Sequence, residues 1–323
     1  MAHFTQRSYL AAHQQGGLTA VRKMKSLTHR TRATIVGSLA VVLWSSLAAL
    51  TIGATPTPPL LLNSVCFTIG GLIGFGWTLW RGHLSALGLI KWPVYVFGAL
   101  GLFGYHVLYF YALRLAPAAE ASLIAYLWPL LIVLFSSLLP NERFRIGHVV
   151  GALLSFCGAA LIIANQSLDF SDTYLTGFAL AAACALTWSS YSVVSRRFGD
   201  IPTESVFVFC LVTAAASWLL HVFVEATVFP TTYLGWAAIF MLGVGPVGTA
   251  FYFWDVGVKH GDIQLLGTVS YAAPLLSTFI LICLGKAALS VTLVLAALLI
   301  TSGAVVAARV SMLRRKPPGR SEI

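Results

Sequence analysis

Residues 126–131 read Tyr-Leu-Trp-Pro-Leu-Leu, and residues 271–276 read Tyr-Ala-Ala-Pro-Leu-Leu. Both lie inside long apolar runs, and both place a proline three residues after a tyrosine. Proline breaks the interior of a soluble helix, whereas a membrane helix tolerates it because neighbouring groups satisfy the freed backbone. The surroundings of the motif recur as well. Leu43-Trp44-Ser45-Ser46 is echoed by Thr187-Trp188-Ser189-Ser190, and Tyr109-Phe110-Tyr111 by Tyr252-Phe253-Trp254, all in one order at separations near 144. The chain therefore carries two copies of one unit.

Composition says what solvent the copies face. The 323 residues are 58% hydrophobic and 9% charged, against roughly 25% charged in an ordinary soluble domain. A soluble fold could not wet such a surface. A crossing helix needs about 20 mostly apolar residues, and ten such runs are present, near 33–52, 60–80, 92–113, 117–139, 146–164, 174–194, 204–223, 233–257, 263–283 and 289–308. They are continuous and do not alternate with period two, which favours helices over a β-barrel. Five spans per copy is an odd number, so the second copy starts from the other side of the bilayer. The expected fold is an all-α integral membrane protein of ten transmembrane helices in two inverted repeats, 33–164 and 174–308. Basic tails, 1–32 and 309–323, flank them.

Orientation follows from the cations, which collect in cytoplasmic loops. With the N-terminus inside, eighteen of the twenty Lys and Arg fall on the cytoplasmic side, leaving Arg114 and Lys286 outside. Both tails are then cytoplasmic, and the formal charge of +10 marks a membrane orientation and not a nucleic-acid partner. Cys66, Cys157, Cys184, Cys210 and Cys283 fall in apolar runs without a Cys-x-x-Cys pair, so neither a disulfide framework nor a metal site is expected. No stretch before the first span reads as a cleaved signal.

Candidate functional residues are polar or flat groups placed mid-span. Pro129 and Pro274 cannot donate to the carbonyls of Ala125 and Ser270, which leaves acceptors beside Tyr126 and Tyr271 for a solute ammonium. The plainer reading is a kink between packed helices. Tyr105, His106 and Tyr109 follow the glycines at 98, 101 and 104. An imidazole at this depth is a functional candidate, or a neutral group bonded to the next helix. Trp44 with Ser45, and Trp188 with Tyr191, sit away from span ends, unlike the tryptophans of an interfacial belt. They line a passage or fill the bundle. Trp128, Tyr252 and Trp254 complete the aromatic set, and Pro246 marks a hinge candidate. Asp255 precedes Lys259 by four residues and reads as a local ion pair. Glu120 is expected to lie near Arg114. No carboxylate remains at mid-membrane, so strict proton coupling is not expected.

The same residues resemble the drug/metabolite transporter superfamily of the EamA type, with Trp in the first helix and Pro in the fourth helix of each repeat. Ala33–Thr51, Tyr126–Phe135 and Trp254–Ser277 look closer still to the YddG-type aromatic amino acid exporters of bacterial inner membranes. The resemblance spans nearly all of 33–308 and implies export of aromatic or other amino acids, or of cationic drugs. It departs at one point. Glu142 matches an acidic residue usual after the fourth helix of a repeat, whereas Lys286 stands at the second such place.

The glycine-rich pieces 70–76 and 243–248 lack the Gly-Lys-Ser/Thr ending of a phosphate loop and lie within spans. No Walker, His-Glu-x-x-His or Gly-x-Ser-x-Gly motif is present. A secondary transporter working by alternating access on a small amphipathic solute is expected, with no cofactor and with the lipid bilayer as its surroundings. An enzyme acting on lipid would need a clustered acid/base pair within the spans. A channel would conduct without saturating. Oligomeric state is left open.

Overall fold

The computed structural model describes residues 29–140, 142, 145–164, 170–285 and 288–313. The tails over 1–28 and 314–323, and Lys286, lie outside the described residues. Ten helices are long and apolar enough to cross a bilayer. They are α1 His29–Gly53, α2 Pro59–Arg81, α3 Trp92–Leu115, α4 Ala118–Ser136 and α5 Ile146–Ile163, then α6 Asp172–Phe198, α7 Thr203–Val224, α8 Tyr233–His260, α9 Ile263–Cys283 and α10 Val291–Leu313.

Local chemistry sets the ends. Pro59 opens α2, where its missing N–H costs nothing, and Gly82 closes it at φ 68° in the left-handed region. Thr232 caps α8 by accepting from the N–H of Gly235 at 3.2 Å, and Asp262 caps α9 through the N–H of Leu265 at 3.2 Å. Two ends run past the apolar runs. α1 already includes residues 29–32 and α10 continues to Leu313, so both helices reach into the expected tails. Arg30 extends α1 because it meets Glu142 at 3.2 Å and Asp262 at 3.4 Å.

The contacts at helix ends sort into two faces, as ten alternating crossings require. On one face, the tail-side face, Arg30 meets Glu142, Arg145 donates to the carbonyl of Val310 at 3.3 Å, and His83 meets Glu204 at 2.8 Å. On the far face Glu225, at the end of α7, accepts from the N–H groups of Leu60 and Leu61 at 3.1 and 3.3 Å. A carboxylate at a helix N-terminus satisfies orphan donors and complements the dipole. Arg114 also belongs to this site, 3.2 Å from Glu225. Glu120 is buried in the first turn of α4. Asp255 and Lys259 pair at 2.8 Å, as the spacing predicts.

Three spans depart from a plain helix. α4 is interrupted between Ala125 and Trp128, and α9 between Val269 and Ala272, at the two Tyr-x-x-Pro motifs. α8 contains a π-helical turn over Gly245–Thr249, which inserts one extra residue beside Pro246. α8 is also gripped tightly. A Cβ on Gly70 of α2 would sit 2.6 Å from the Cα of Gly248, and one on Gly37 of α1 would sit 2.8 Å from the Cα of Gly257. Only residues without a side chain permit these crossings.

Candidate aromatic chamber

Trp44 is the centre of the site. Its ring lies 5.1 Å from Trp254, 5.8 Å from Trp188, 6.1 Å from Phe251 and 6.2 Å from Trp128, centroid to centroid. These rings come from α1, α4, α6 and α8, so both repeats contribute. Most of the pairs are edge-to-face, the arrangement that aligns the positive rim of one ring with the negative face of another. Two of the indole N–H groups bond across helices. Trp44 Nε1 donates to the carbonyl of Pro246 at 3.0 Å, inside the π turn, and Trp254 Nε1 donates to Ser192 Oγ at 3.0 Å.

A second group lies against the first. Tyr105 packs 5.3 Å from Trp188 and stacks on Tyr109 at an interplanar angle of 7°. His106 stands between Phe67 at 5.1 Å and Phe251 at 6.1 Å. Its Nδ1 lies 2.7 Å from the carbonyl oxygen of Leu102. A carbonyl only accepts, so Nδ1 carries the hydrogen and Nε2 faces outward from that bond. Tyr109 Oη shares a hydrogen bond with Ser122 Oγ at 3.1 Å, and the Tyr126 hydroxyl is within electrostatic reach of Tyr105 and Tyr109. The result is a polar end made of phenols and one imidazole, beside an apolar end made of indoles.

Accessibility divides the same residues. Trp44, Tyr105, His106, Tyr109 and Tyr126 stay half-buried although they sit deep among the helices. Trp128, Trp188, Tyr191 and Trp254 are closed off. Counted along each helix, the sealed rings lie nearer the tail-side face and the half-open ones nearer the far face. The indoles and Tyr191 on the tail side are thus more tightly covered than the phenols and the imidazole.

Two of the expected residues stand apart. Tyr252 turns away from the chamber and donates to the carbonyl of Gly70 at 2.9 Å, joining α8 to α2. Tyr271 is fully buried, and its hydroxyl accepts from the N–H of Leu130 at 3.1 Å. Leu130 is in the first turn of the second half of α4, so Tyr271 caps a helix fragment. The carbonyl of Ser270, expected to be free, accepts from the N–H of Ala273 at 3.1 Å, because the chain tightens after the break. Pro129 is buried beside the sealed rings, and Pro274 lies in the first turn after the break in α9. Ser45 bonds back to its own helix at the carbonyl of Val42. Phe67 and Phe251 belong to the chamber and were not singled out from the sequence. Phe251 precedes Trp254 by three residues and so shares its helical face, a spacing that pointed to it.

The profile of the EamA-like transporter family matches this chain twice, over residues 31–164 and 175–309. The chain belongs to that family. The two EamA matches cover the two five-helix units, so the inverted repeat is a family property as well as a feature of this fold. The EamA chain is similar to the aromatic amino acid exporter YddG of Ancylobacter novellus, with 51% identity over 280 residues, 86% of this chain and 97% of that one. The exporter of the same name from Escherichia coli is 26% identical over 85% of this chain and 96% of its own. A solved crystal structure with 50% identity superposes with a TM-score of 0.83, covering 88% of this chain and 99% of the other.

Proposed function

We propose that this EamA transporter exports aromatic amino acids from the cytoplasm across the bacterial inner membrane, with both tails cytoplasmic. The observation that carries the reading is the chamber itself, in which phenols and an imidazole adjoin a set of indoles shared by both repeats. The solute it suits is a zwitterion with a ring. Tyrosine hydroxyls donate to a carboxylate, His106 Nε2 accepts from an ammonium when the ring is neutral, and indole faces take the aromatic group. The YddG exporter at 51% identity supports the same substrate class. A phosphorylated sugar suits the chamber poorly, since phosphate sites recruit Arg or Lys and the rings named here have none among them.

Alternating access follows from the repeat. Two similar bundles of opposite sense form the walls, and exchanging their tilts opens the opposite face. The excess of Lys and Arg on the tail-side face supports placing that face in the cytoplasm. A second reading, export of a quaternary or cationic drug, is favoured by the same indoles, because aromatic faces also attract cations.

The deciding experiment is uptake into proteoliposomes of labelled Phe, Trp and Ala against a viologen-type cation. The reading predicts saturable transport of Phe and Trp, in preference to the cation. Saturable transport of the cation alone would establish the second reading, and flux that never saturates would indicate a channel.

A further inference from the structure

Four charged side chains from four separate parts of the chain meet on the tail-side face. Arg30, in the first turn of α1, donates to Glu142 at 3.2 Å and lies 3.4 Å from Asp262. Arg196, near the end of α6, donates to the same oxygen of Glu142 at 2.7 Å. Its other terminal nitrogen donates to the carbonyls of Val258 and Gly261 at 2.8 and 2.9 Å, which terminate α8. Asp262 caps α9, and its own N–H donates to Thr34 Oγ1 of α1 at 2.9 Å. The side chains of Glu142 and Asp262 are sealed, at 1% and 3% exposure, and the arginines are mostly covered, at 20% and 16%.

What the cluster joins matters more than its strength. It ties α1, α6, α8 and α9 to the segment between α4 and α5. These include the helices that carry Trp44, Trp188 and Trp254, and one of the two that are broken at mid-span. Toward the far face the same helices meet through apolar packing, as where a Cβ on Gly53 of α1 would sit 3.1 Å from the Cβ of Ala238 of α8. Among the described residues, the ion pairs of the far face involve Arg114, His221 and Glu225, on α3, α7 and the end of α7. By contrast α2 and α7 are held to each other at both ends. Glu204 meets Arg81 at 3.7 Å on the tail-side face, and Glu225 takes the N–H groups of Leu60 and Leu61 on the far face. The α2–α7 pair, bonded through charged groups at both ends, serves as a frame, while the ion pairs of Arg30, Glu142, Arg196 and Asp262 lie on the tail-side face.

The chemistry also suits a closure that must come apart. An apolar seal exposed to water would lose its whole hydrophobic contribution. Paired charges at a face regain hydration as they separate, so attraction and desolvation come near to balance. We propose that Arg30, Glu142, Arg196 and Asp262 form a latch that holds the tail-side face of the chamber shut, and that its release admits solute. This rests on the export reading only for the direction from which the solute comes.

The test is side-specific labelling of the full-length protein in membrane vesicles of both orientations. All five cysteines, Cys66, Cys157, Cys184, Cys210 and Cys283, are first replaced. A single reporter is then placed by Ser192→Cys in the sealed part or by Ser122→Cys in the half-open part. The probe is a membrane-impermeant maleimide, and no solute is added. Glu142→Gln is expected to raise labelling at position 192 from the tail side by roughly tenfold, the factor carried by one modest charge-assisted hydrogen bond. Labelling at position 122 from the far side should fall. Asp262→Asn, which keeps an oxygen for the α9 cap, should shift both rates in the same directions.

Unchanged rates in folded Glu142→Gln and Asp262→Asn would overturn the latch, and Asp262→Asn decides alone if the other does not fold. An equal shift from Glu204→Gln, which lies outside the cluster, would overturn it too. Because labelling needs no transported solute, a wrong substrate class leaves this result readable.

Discussion

Tyr126 and Tyr271 hold the same place in their repeats and do different work. Tyr271 is fully buried and accepts from the N–H of Leu130, whereas Tyr126 is half-buried near Tyr105 and Tyr109. Removing the Tyr271 hydroxyl leaves a backbone donor unpaired away from water, which costs about 1–3 kcal/mol. Tyr271→Phe should therefore lower the melting temperature in detergent while leaving the KM of the folded protein nearly unchanged. Tyr126→Phe should do the reverse, raising KM for aromatic solutes with little change in melting temperature. Sequence spacing made the two tyrosines equivalent, because it records position along a helix and not which neighbour the helix packs on. Asp262, between α8 and α9, gives a second prediction at this scale. Burial pushes its carboxyl up, but Arg30, the Leu265 N–H, His148 and Ser311 together outweigh that and hold it below the ordinary value of 3.8. Arg196 and Glu142 complete the charges around it. A carboxyl whose folded pKa is depressed adds stability above its unfolded pKa, and that stability is lost as pH falls through the folded value. Thermal stability should thus gain an acid-sensitive part below about pH 4, and Asp262→Asn should remove it.

The helices themselves were largely readable, because a span of about 20 apolar residues leaves few alternatives. The breaks in α4 and α9 were readable too, since Pro129 and Pro274 forbid a bond at known places. The π turn in α8 was not. Gly243–Gly248 reads as close packing with a hinge at Pro246, and nothing in residue spacing discloses the extra residue that lets the Pro246 carbonyl reach Trp44. Packing of α8 gives the prediction for this scale. Gly70→Val places a side chain 2.6 Å from the backbone of Gly248, which cannot yield as a flexible side chain would. Overpacking of this kind costs about 1–3 kcal/mol. The melting temperature should fall and transport with it, while Gly76→Val on the same helix, where nothing lies within 4 Å, should change neither.

At the scale of the molecule, the repeat was legible because an odd number of crossings per copy forces inversion. The charge cluster on the tail-side face was not. Arg30 and Arg196 entered the orientation count only as charges, since their partner Glu142 lies 112 and 54 residues away and no local pattern links them. The central proposal is that the solute passes through the aromatic chamber between the repeats. The measurement that tests this is the rate of labelled Trp uptake relative to Ala in proteoliposomes containing Trp44→Ala, Trp188→Ala or Trp80→Ala. Trp44 and Trp188 are chamber walls, and Trp80 is 86% exposed on the outside of α2. One lost ring contact of about 0.5–1.5 kcal/mol predicts a two- to tenfold loss of preference for Trp in the first two. It predicts none in the third. Equal preference in all three variants would contradict the account.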